Sequence, residues 1–485
     1  LLALASENAF TVLDSLHRCL TTANPGGEPV NTEAKRQLIY FCTSLHNRRI
    51  RFRPPPVTHM KSWSSFTPYY GEDVTYSIKQ LRAVYDGDDI DLENLLKALF
   101  PDEWENQRER CETDTATTRA SAGQEAEDHA LQDWASDRGQ LLSRTIRGVC
   151  RYSEGLRVLS RLEGVKESEI EWLNWLKYEY VVTCQIYGKH RREKDQRADD
   201  INKLRKRYRA CLRMAYVDEK RPPNPKTGDE GEEHFHSMLM GIHPETQEDV
   251  VLCKVRLPGN PIIGEGKPEN QNHAIIFAHG EYLQTLDMNQ DNYMSESLKI
   301  RNMLELFRGN VRIVGYPEHV FSMSGGAVAH FSGSNEMVFG TTMQRFLAWP
   351  LMCRFHYGHP DLWDKVWAMA NGGVAKASRT LHVSEDIFGG FNVILRGGTI
   401  GFAEFIHCGK GRDMGFTAVN GFEQKISAGN ALQCSSRELY RMGKFFDIFR
   451  LMSFYFTGAG FFLTNRITTG IILGLGLGLR LGLEP

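Results

Sequence analysis

Apolar positions recur at helical spacing over residues 1–22 and 32–47, on either side of the turn Pro25-Gly26-Gly27, and Pro54-Pro55-Pro56 closes this lead-in. Ser64–Tyr69 then reads as a strand running into T-P-Y-Y-G-E-D (Thr67–Asp73). A helix is predicted over Val74–Tyr85 and another from Leu92 to about Leu99, with the acidic turn Asp86–Asp91 between them. This strand–loop–helix opening predicts a nucleotide-binding α/β domain. Glu112–Asp128 is polar and aperiodic, a solvated loop. Trp134–Leu162 is strongly helical, and Tyr178–Ile186 is a β-branched, apolar run that predicts a buried strand. Gly188–Arg213 is basic and rich in helix formers, with Leu212–Tyr216 a further strand. Lys220–Gly241 is rich in Pro, Gly and charge and is read as a surface loop, so inserts are expected near 112–128 and 220–245. Val250–Leu257 pairs on this reading with Ala274–Phe277, continuing through Glu281–Asp287, as a hairpin. Ser295–Phe307 is a predicted helix. Phe331–Met369 is read as mostly helical around the loop R-F-H-Y-G-H-P, and Ser435–Phe449 as a helix with aromatic and basic faces. No internal repeat is visible.

The C-terminal end departs from this pattern. Leu451–Leu463 is uncharged and mostly apolar, but shorter than the ~20 residues that span a bilayer. Thr464-Asn465-Arg466 interrupts it, and a Gly/Leu tail follows (Gly474–Leu483). The chain starts Leu1-Leu2-Ala3 without Met, which reads as a fragment or a processed form, and no signal peptide is identified. At 485 residues, two or three domains or one heavily inserted domain are expected. The net charge of −2 gives no basic field for nucleic acid and no acidic excess for disorder. Ten cysteines without a C-x-x-C pair predict reduced thiols rather than a disulfide scaffold or zinc knuckle.

Candidate chemistry concentrates between Arg354 and Asp413: R-F-H-Y-G-H-P-D (Arg354–Asp361), S-E-D-I-F-G-G-F-N (Ser384–Asn392) and G-K-G-R-D (Gly409–Asp413). The span holds an acid pair, two histidines and a Lys/Arg pair between glycines. A carboxylate can take a proton and cations can hold a leaving phosphate, so the residues predict a phosphate-handling site with an acid pair. The acid pair Glu385-Asp386 also suits the capping of a helix. His356 and His359 lie three apart with no third ligand placed near them. Zinc is therefore disfavoured, and they read as polar donors to a phosphate or sugar, or as packed loop histidines.

Upstream, L-P-G-N-P-I-I-G-E-G-K-P-E-N-Q-N-H-A (Leu257–Ala274) fails the Walker pattern. It is a Gly/Pro loop, or one in which Lys267, Asn270, Gln271 and Asn272 are donors to a diphosphate or sugar hydroxyls. D-M-N-Q-D-N-Y (Asp287–Tyr293) is not an EF-hand, because Asn292 and Leu298 stand where Gly and Glu are needed. Asp287 or Asp291 would hold a divalent ion such as Mg²⁺ on a donor diphosphate; Asp291 or Asn292 as a helix cap is the other reading. Asp86-Gly-Asp88 and Asp89-Ile-Asp91 match a D-x-D metal signature but sit in a turn where Asp is expected for capping. The basic run Gly188–Arg213 reads as a solvated face, with adhesion to an anionic leaflet as a second reading. Arg437 and Arg441 share one helix face ahead of the apolar tail. That helix, with Phe445, Phe446 and Phe449, lies along a membrane surface or is buried.

These blocks together resemble the 1,3-β-glucan synthase family, which includes the plant callose synthases and the fungal and oomycete wall synthases. The resemblance is carried by Leu257–Phe277, G-E-Y-L-Q, D-M-N-Q-D-N-Y, Arg354–Asp361, Gly373–Ser378, Ser384–Asn392, Gly409–Asp413 and Ser436–Phe456. Earlier blocks look like the plant-type branch: T-P-Y-Y-G-E-D, P-D-E-W (Pro101–Trp104), W-A-S-D-R-G-Q (Trp134–Gln140), Y-V-V-T-C-Q-I-Y-G (Tyr180–Gly188) and A-Y-V-D-E (Ala215–Glu219). It covers roughly residues 30–463.

The resemblance implies an α/β fold: a glycosyltransferase-A-like core with large helical insertions, followed by the truncated start of a transmembrane bundle. It divides the chain into a helical lead-in (1–56), a cytosolic glycosyltransferase domain (57–434), an interface helix with the start of a transmembrane segment (435–463) and a low-complexity tail (464–485). It implies inverting transfer of glucose from UDP-glucose to the 3-hydroxyl of a growing β-1,3-glucan, at the cytoplasmic face of the plasma membrane. A Rho-type GTPase is implied as regulator, and nucleic acid is not a partner. Asp386 would be the base with Glu385 beside it. Lys267, Lys410 and Arg412 would stabilise departing UDP, and Asp287 or Asp291 would hold the donor sugar or an ion. Tyr69 and Glu72 would lie near the nucleotide base, Arg354, His356 and His359 would bind substrate, and Arg437 and Arg441 would face the acceptor. The missing membrane bundles motivate a second expectation: a truncated, non-catalytic module that binds UDP-sugar or a partner.

Overall fold

Trp63–Pro68 (β1) is buried along its whole length although four of its six residues are polar or proline, W-S-S-F-T-P. Its neighbours explain how. The Ser64 hydroxyl donates to Glu179 Oε1 (2.8 Å), the Ser65 hydroxyl donates to Gln284 Oε1 (2.8 Å), and Thr67 accepts from the Tyr180 hydroxyl (2.8 Å). Glu179 and Tyr180 lie on Tyr178–Thr183 (β2) and Gln284 on Tyr282–Thr285 (β6), both parallel to β1. A buried hydroxyl costs stability unless it is bonded, so these pairs fix which strands flank β1.

The computed structural model describes residues 54–84, 90–108, 124–220, 233–263, 266–355, 360–374 and 384–460, with 39–40 and scattered residues from 463 to 474. Within them β1 is the centre of a nine-stranded mixed sheet. On one side follow β2, Leu212–Lys220 (β3), His234–Ile242 (β4) and Asp249–Arg256 (β5). On the other follow β6, Leu362–Asp364 (β10), Val311–Gly315 (β8) and Thr399–Phe402 (β11). β3 continues parallel from β2, β4 and β5 return antiparallel, and β10 runs antiparallel between β6 and β8. A second sheet of three short strands holds Gln290–Asp291 (β7), Cys408–Lys410 (β12) and Glu318–Val320 (β9), with β12 in the middle.

The helix Leu142–Leu162 (α1) covers one face of the large sheet, sinking Leu142, Ile146, Val149, Tyr152, Leu156 and Leu159 among Trp63, Tyr178 and Leu286. These positions follow the three- and four-residue spacing of one helix face. The other face carries Phe66, Val181, Leu283, Ile313 and Trp363 against Ala274, Ile275, Ala368, Val374 and Val393. The described cysteines are free thiols.

Several expected elements change. β4 falls inside the stretch read as a surface loop; His234–Ile242 is buried along most of its length and pairs with both β3 and β5. Its partner in the hairpin is therefore β5, whereas β6 pairs with β1 and β10, and Ile275–Phe277 is one 3₁₀ turn. Helix begins at Gln124, inside the expected polar loop, and the long helix predicted from Trp134 is two, Gln124–Ser136 and α1. The helix expected over Val74–Tyr85 is a single turn, Ile78–Leu81, and that over Ser295–Phe307 is two short ones, Met294–Ser297 and Ile300–Leu304. The region read as helical to Met369 breaks after Ala348 and contains β10. Most of the expected lead-in helices, Asp86, Asp88 and Asp89 of the D-x-D turn and most of the tail lie outside the described residues, whereas Asp91 caps the helix Leu92–Leu99 as expected, accepting from Asn94 N at 2.7 Å.

The predicted helix Ser435–Phe449 is two pieces, Arg437–Met442 and Ile448–Thr457. Among the described residues no helix is long and apolar enough to cross a membrane.

Gln284 tests the centre of the sheet. Its amide nitrogen donates to the hydroxyls of Tyr152 (3.1 Å) and Tyr316 (2.6 Å), while its oxygen accepts from Ser65. Gln284→Leu keeps the size but strands these groups, and is expected to lower unfolding free energy by about 2 kcal/mol in urea titrations.

Candidate functional site

The loop after β6 carries Asp287, at the end of a central strand, where open α/β sheets place ligands. Lys267 opens the short helix Lys267–Asn272 (α2), and Gly266 ahead of it takes a positive φ of 75° to turn the chain inward. Glu385 and Asp386 form the first turn of Glu385–Leu395 (α4), where the positive end of the helix favours carboxylates. That helix comes close to the neighbouring loop because Gly390 has no Cβ; one there would lie 1.4 Å from the Phe355 carbonyl oxygen. Lys410 ends β12 and Arg412 follows it.

These elements bring three acids and two lysines together. Lys267 Nζ lies 3.0 Å from Asp287, 3.7 Å from Glu385 and 3.6 Å from Asp386. Lys410 Nζ lies 3.9 Å from Asp287 on the opposite side. Asp287 thus joins two cations, and Lys267 joins three carboxylates. The side chains of Asp287 and Asp386 are 26% and 17% exposed, against 8% for Glu385, so the first two are the more accessible to solvent.

Two further acids complete the network and were not identified from the sequence. Glu318 on β9 lies 2.9 Å from Lys410, and Glu336 on Ala327–Met337 (α3) lies 3.4 Å from Lys410 and 2.5 Å from Arg412. Neither belongs to a motif with chemical spacing; only the packing of the small sheet delivers them. Tyr70 lies in the stretch Thr67–Glu72 expected near the nucleotide base, between Tyr69 and Glu72. Its ring is half-exposed, but desolvation of its hydroxyl pushes that group up to about 12, with Glu72, Asp287 and Glu385 acting the same way.

The charges are strongly perturbed. Burial raises the Glu385 carboxyl to about 7, with Asp386 adding to the rise and Lys267 opposing it; its Oε2 is buried without a hydrogen bond. Burial works against the charge on Lys267, but Asp287, Asp386 and Glu385 outweigh it and hold the ammonium above the usual lysine range. Burial likewise raises Glu318. Glu336 is also buried, yet Arg412 and Lys410 overcome that and hold it low. Full ionisation of Asp287, Glu318, Glu336, Glu385 and Asp386 against Lys267, Lys410 and Arg412 would leave excess negative charge. The upward push on Glu318 and Glu385 relieves it.

Other expected residues lie elsewhere or serve the scaffold. Tyr69 is fully buried, its hydroxyl donating to the Glu72 carbonyl (2.6 Å), and burial raises the Glu72 carboxyl. Asn270 is buried and bridges two strand ends, donating to Tyr69 O (2.7 Å) and accepting from Gln185 N (3.1 Å). Gln271 is buried beside it, and Asn272 accepts from Val374 N (3.2 Å). Asp291 is buried under the site and ion-paired with Arg144 (3.0 Å). Arg354 is 3% exposed and donates to Asp361 (2.7 Å), Gln344 (3.0 Å) and Gly401 O (3.0 Å). Arg441 lines a cleft at the C-terminal end of α4, a helix about 15 Å long whose other end carries the acid pair. Arg437 is exposed on the same short helix, and His356 and His359 lie outside the described residues. The glycines of G-K-G-R-D serve close packing rather than backbone freedom: a Cβ on Gly409 would meet the Tyr293 hydroxyl at 2.5 Å, and one on Gly411 the Gln140 amide at 2.5 Å.

For a divalent ion, among the described residues no three His, Cys, Asp or Glu side chains converge as ligands. Asp287, Glu385 and Asp386 do converge, but on the Lys267 ammonium, which fills the position an ion would take.

A family profile described as 1,3-beta-glucan synthase component matches residues 28–477. The chain belongs to the 1,3-beta-glucan synthase family. Callose synthase 10 of Arabidopsis thaliana is 43% identical to it over 479 residues, 93% of this chain and 25% of that protein. Callose synthase 3 of the same plant is 42% identical over 479 residues, 91% of this chain and 24% of that protein. Callose synthase 12 is 37% identical over 517 residues, 96% and 28% of the two chains. This glucan synthase chain spans about a quarter of the length of the curated relatives it matches.

Two outcomes test the site. An acid whose folded pKa is raised from 4.5 to about 7 binds more protons folded than unfolded between those values, so its contribution to stability falls as pH rises through that window. Glu385→Gln is therefore expected to raise the melting temperature, relative to the unsubstituted protein, more at pH 8 than at pH 5. Arg354→Ala removes a buried guanidinium that pairs with Asp361 and bonds Gln344 and Gly401 O, and is expected to cost about 3–5 kcal/mol of stability in denaturant titrations.

Proposed function

We propose that this chain is the catalytic portion of a membrane 1,3-β-D-glucan (callose) synthase, an inverting glycosyltransferase with a glycosyltransferase-A-like core. It would transfer glucose from UDP-glucose to the 3-hydroxyl of a growing β-1,3-glucan. The observation that carries this is the juxtaposition of the acid pair with Lys267, Asp287 and Lys410 at the mouth of a sheet, in a chain of this family.

Asp386, the more exposed acid, is the base. It takes the proton of the acceptor hydroxyl as that oxygen bonds to the anomeric carbon. The bond from that carbon to the diphosphate oxygen breaks on the opposite face, and its electron pair leaves with UDP. Burial and the neighbouring Asp386 raise the Glu385 carboxyl, so near neutrality the pair carries less than two full negative charges. Lys267, Lys410 and Arg412 oppose the charge that develops on the departing diphosphate, and they act strongly because they are shielded from water. Asp287 orients Lys267 and the donor sugar, and Tyr70 and Glu72 border the nucleotide. The apolar residues of Ile448–Thr457, with Phe445 and Phe449 exposed, fit a cytoplasmic domain seated against the plasma membrane. A Rho-type GTPase is the proposed regulator.

Membranes carrying the full-length protein, unsubstituted or Asp386→Asn, test this with labelled UDP-glucose. The product is collected as alkali-insoluble polymer that a 1,3-β-glucanase digests. Asp386→Asn is expected to lower incorporation at least about a hundredfold while UDP still binds. Synthesis at the normal rate would remove Asp386 as the base. No synthesis by the unsubstituted protein would favour a non-catalytic binding module instead.

A further inference from the structure

Glu336 and Glu318 are acids that the proposed chemistry does not use, yet they lie in the same network. Glu336 sits on the last turn of α3, immediately before a π-helical segment, Val338–Met343. Such widened turns are frequent at functional sites, because they re-aim side chains along a helix. The Glu336 carboxylate contacts two cations, Lys410 at 3.4 Å and Arg412 at 2.5 Å, and its side chain is only 13% exposed. Glu318 holds Lys410 from β9 at 2.9 Å and is itself fixed by the Gln290 amide at 2.5 Å. Arg412 is braced further by the Phe422 ring, 4.8 Å from its guanidinium.

Lysine is a flexible four-carbon stem bearing a point charge, so it needs outside restraint to be aimed. Here the restraint comes from the side away from the acid pair. Glu318 and Glu336 hold Lys410 from behind, and its remaining carboxylate contact, Asp287 at 3.9 Å, is the loosest of the three. Burial works against the charge on Lys410, and the two glutamates outweigh it.

We propose that Glu336, backed by Glu318, is a positioning residue for the donor: it fixes Lys410 and Arg412 where the diphosphate of a nucleotide-sugar docks. This rests on the reading of the site given above. On docking, Lys410 exchanges its long contact with Asp287 for a phosphate oxygen, while Glu336 keeps its hold on Arg412.

The test is a double-mutant cycle in the full-length protein in membranes, with labelled UDP as the binding probe and UDP-glucose as substrate. Glu336→Gln is expected to raise the UDP dissociation constant and the KM for UDP-glucose together by about tenfold, with kcat falling less than KM rises. In a Lys410→Ala background the same substitution is expected to weaken UDP binding by about threefold rather than tenfold, because one of the two cations it positions is gone. An equal loss in both backgrounds, or a fall in kcat at unchanged KM, would overturn the proposal in favour of a purely structural acid. Should Glu336→Gln fail to accumulate, Glu318→Gln enters the same cycle with the same expected non-additivity. If the unsubstituted protein binds no UDP, the donor-site reading fails and this inference with it. If it binds UDP and Glu336→Gln binds it equally well, this inference fails alone.

Discussion

The Lys267 ammonium is the point on which the candidate site depends. Three carboxylates from two separate segments approach within 4 Å of it, and none of them could share so small a space without a cation between them. Held there, it couples the loop after a central strand to the first turn of α4. Without it, Asp287 and the acid pair would repel one another and take up protons. The result is an acid cluster held together by a buried cation, with two of its members, Asp287 and Asp386, partly exposed to solvent.

That cluster sits at the seam between two sheets. The large sheet supplies Asp287 from the end of β6, next to the buried β1, whose serines and threonine are bonded to the side chains of its flanking strands. The small sheet supplies Lys410 and Glu318, and a helix packed against it supplies Glu336. The cluster is thus assembled from segments spread between Lys267 and Arg412, and its rigidity comes from parts that carry none of its charged groups. Asn270, Asn272 and Arg354 illustrate the division. Each is a polar side chain from a motif expected to bind substrate, and each is used to hold backbone or a buried partner.

The strands β1, β2 and β3 were legible because buried, β-branched or aromatic runs bounded by turn residues allow few alternatives. β4 was not. It follows a charged, proline-rich stretch, and its own burial on both faces erases the alternation that marks a half-exposed strand. The helices were found more often than their ends were. Local pattern shows a face, whereas breaks such as the one between Met442 and Asp447 reflect what the chain packs against.

The sequence by itself determined the family, the central strands and the acid pair with its companion lysines, because those residues stand in long contiguous motifs. Tertiary structure decided which motif residues meet and which brace the frame. It moved Asp291 beneath the site, set Arg441 near the far end of α4, and brought in Glu318 and Glu336. The reason is that charge acts through space over a few ångströms, and at that range neighbours are set by sheet order and helix packing rather than by position along the chain.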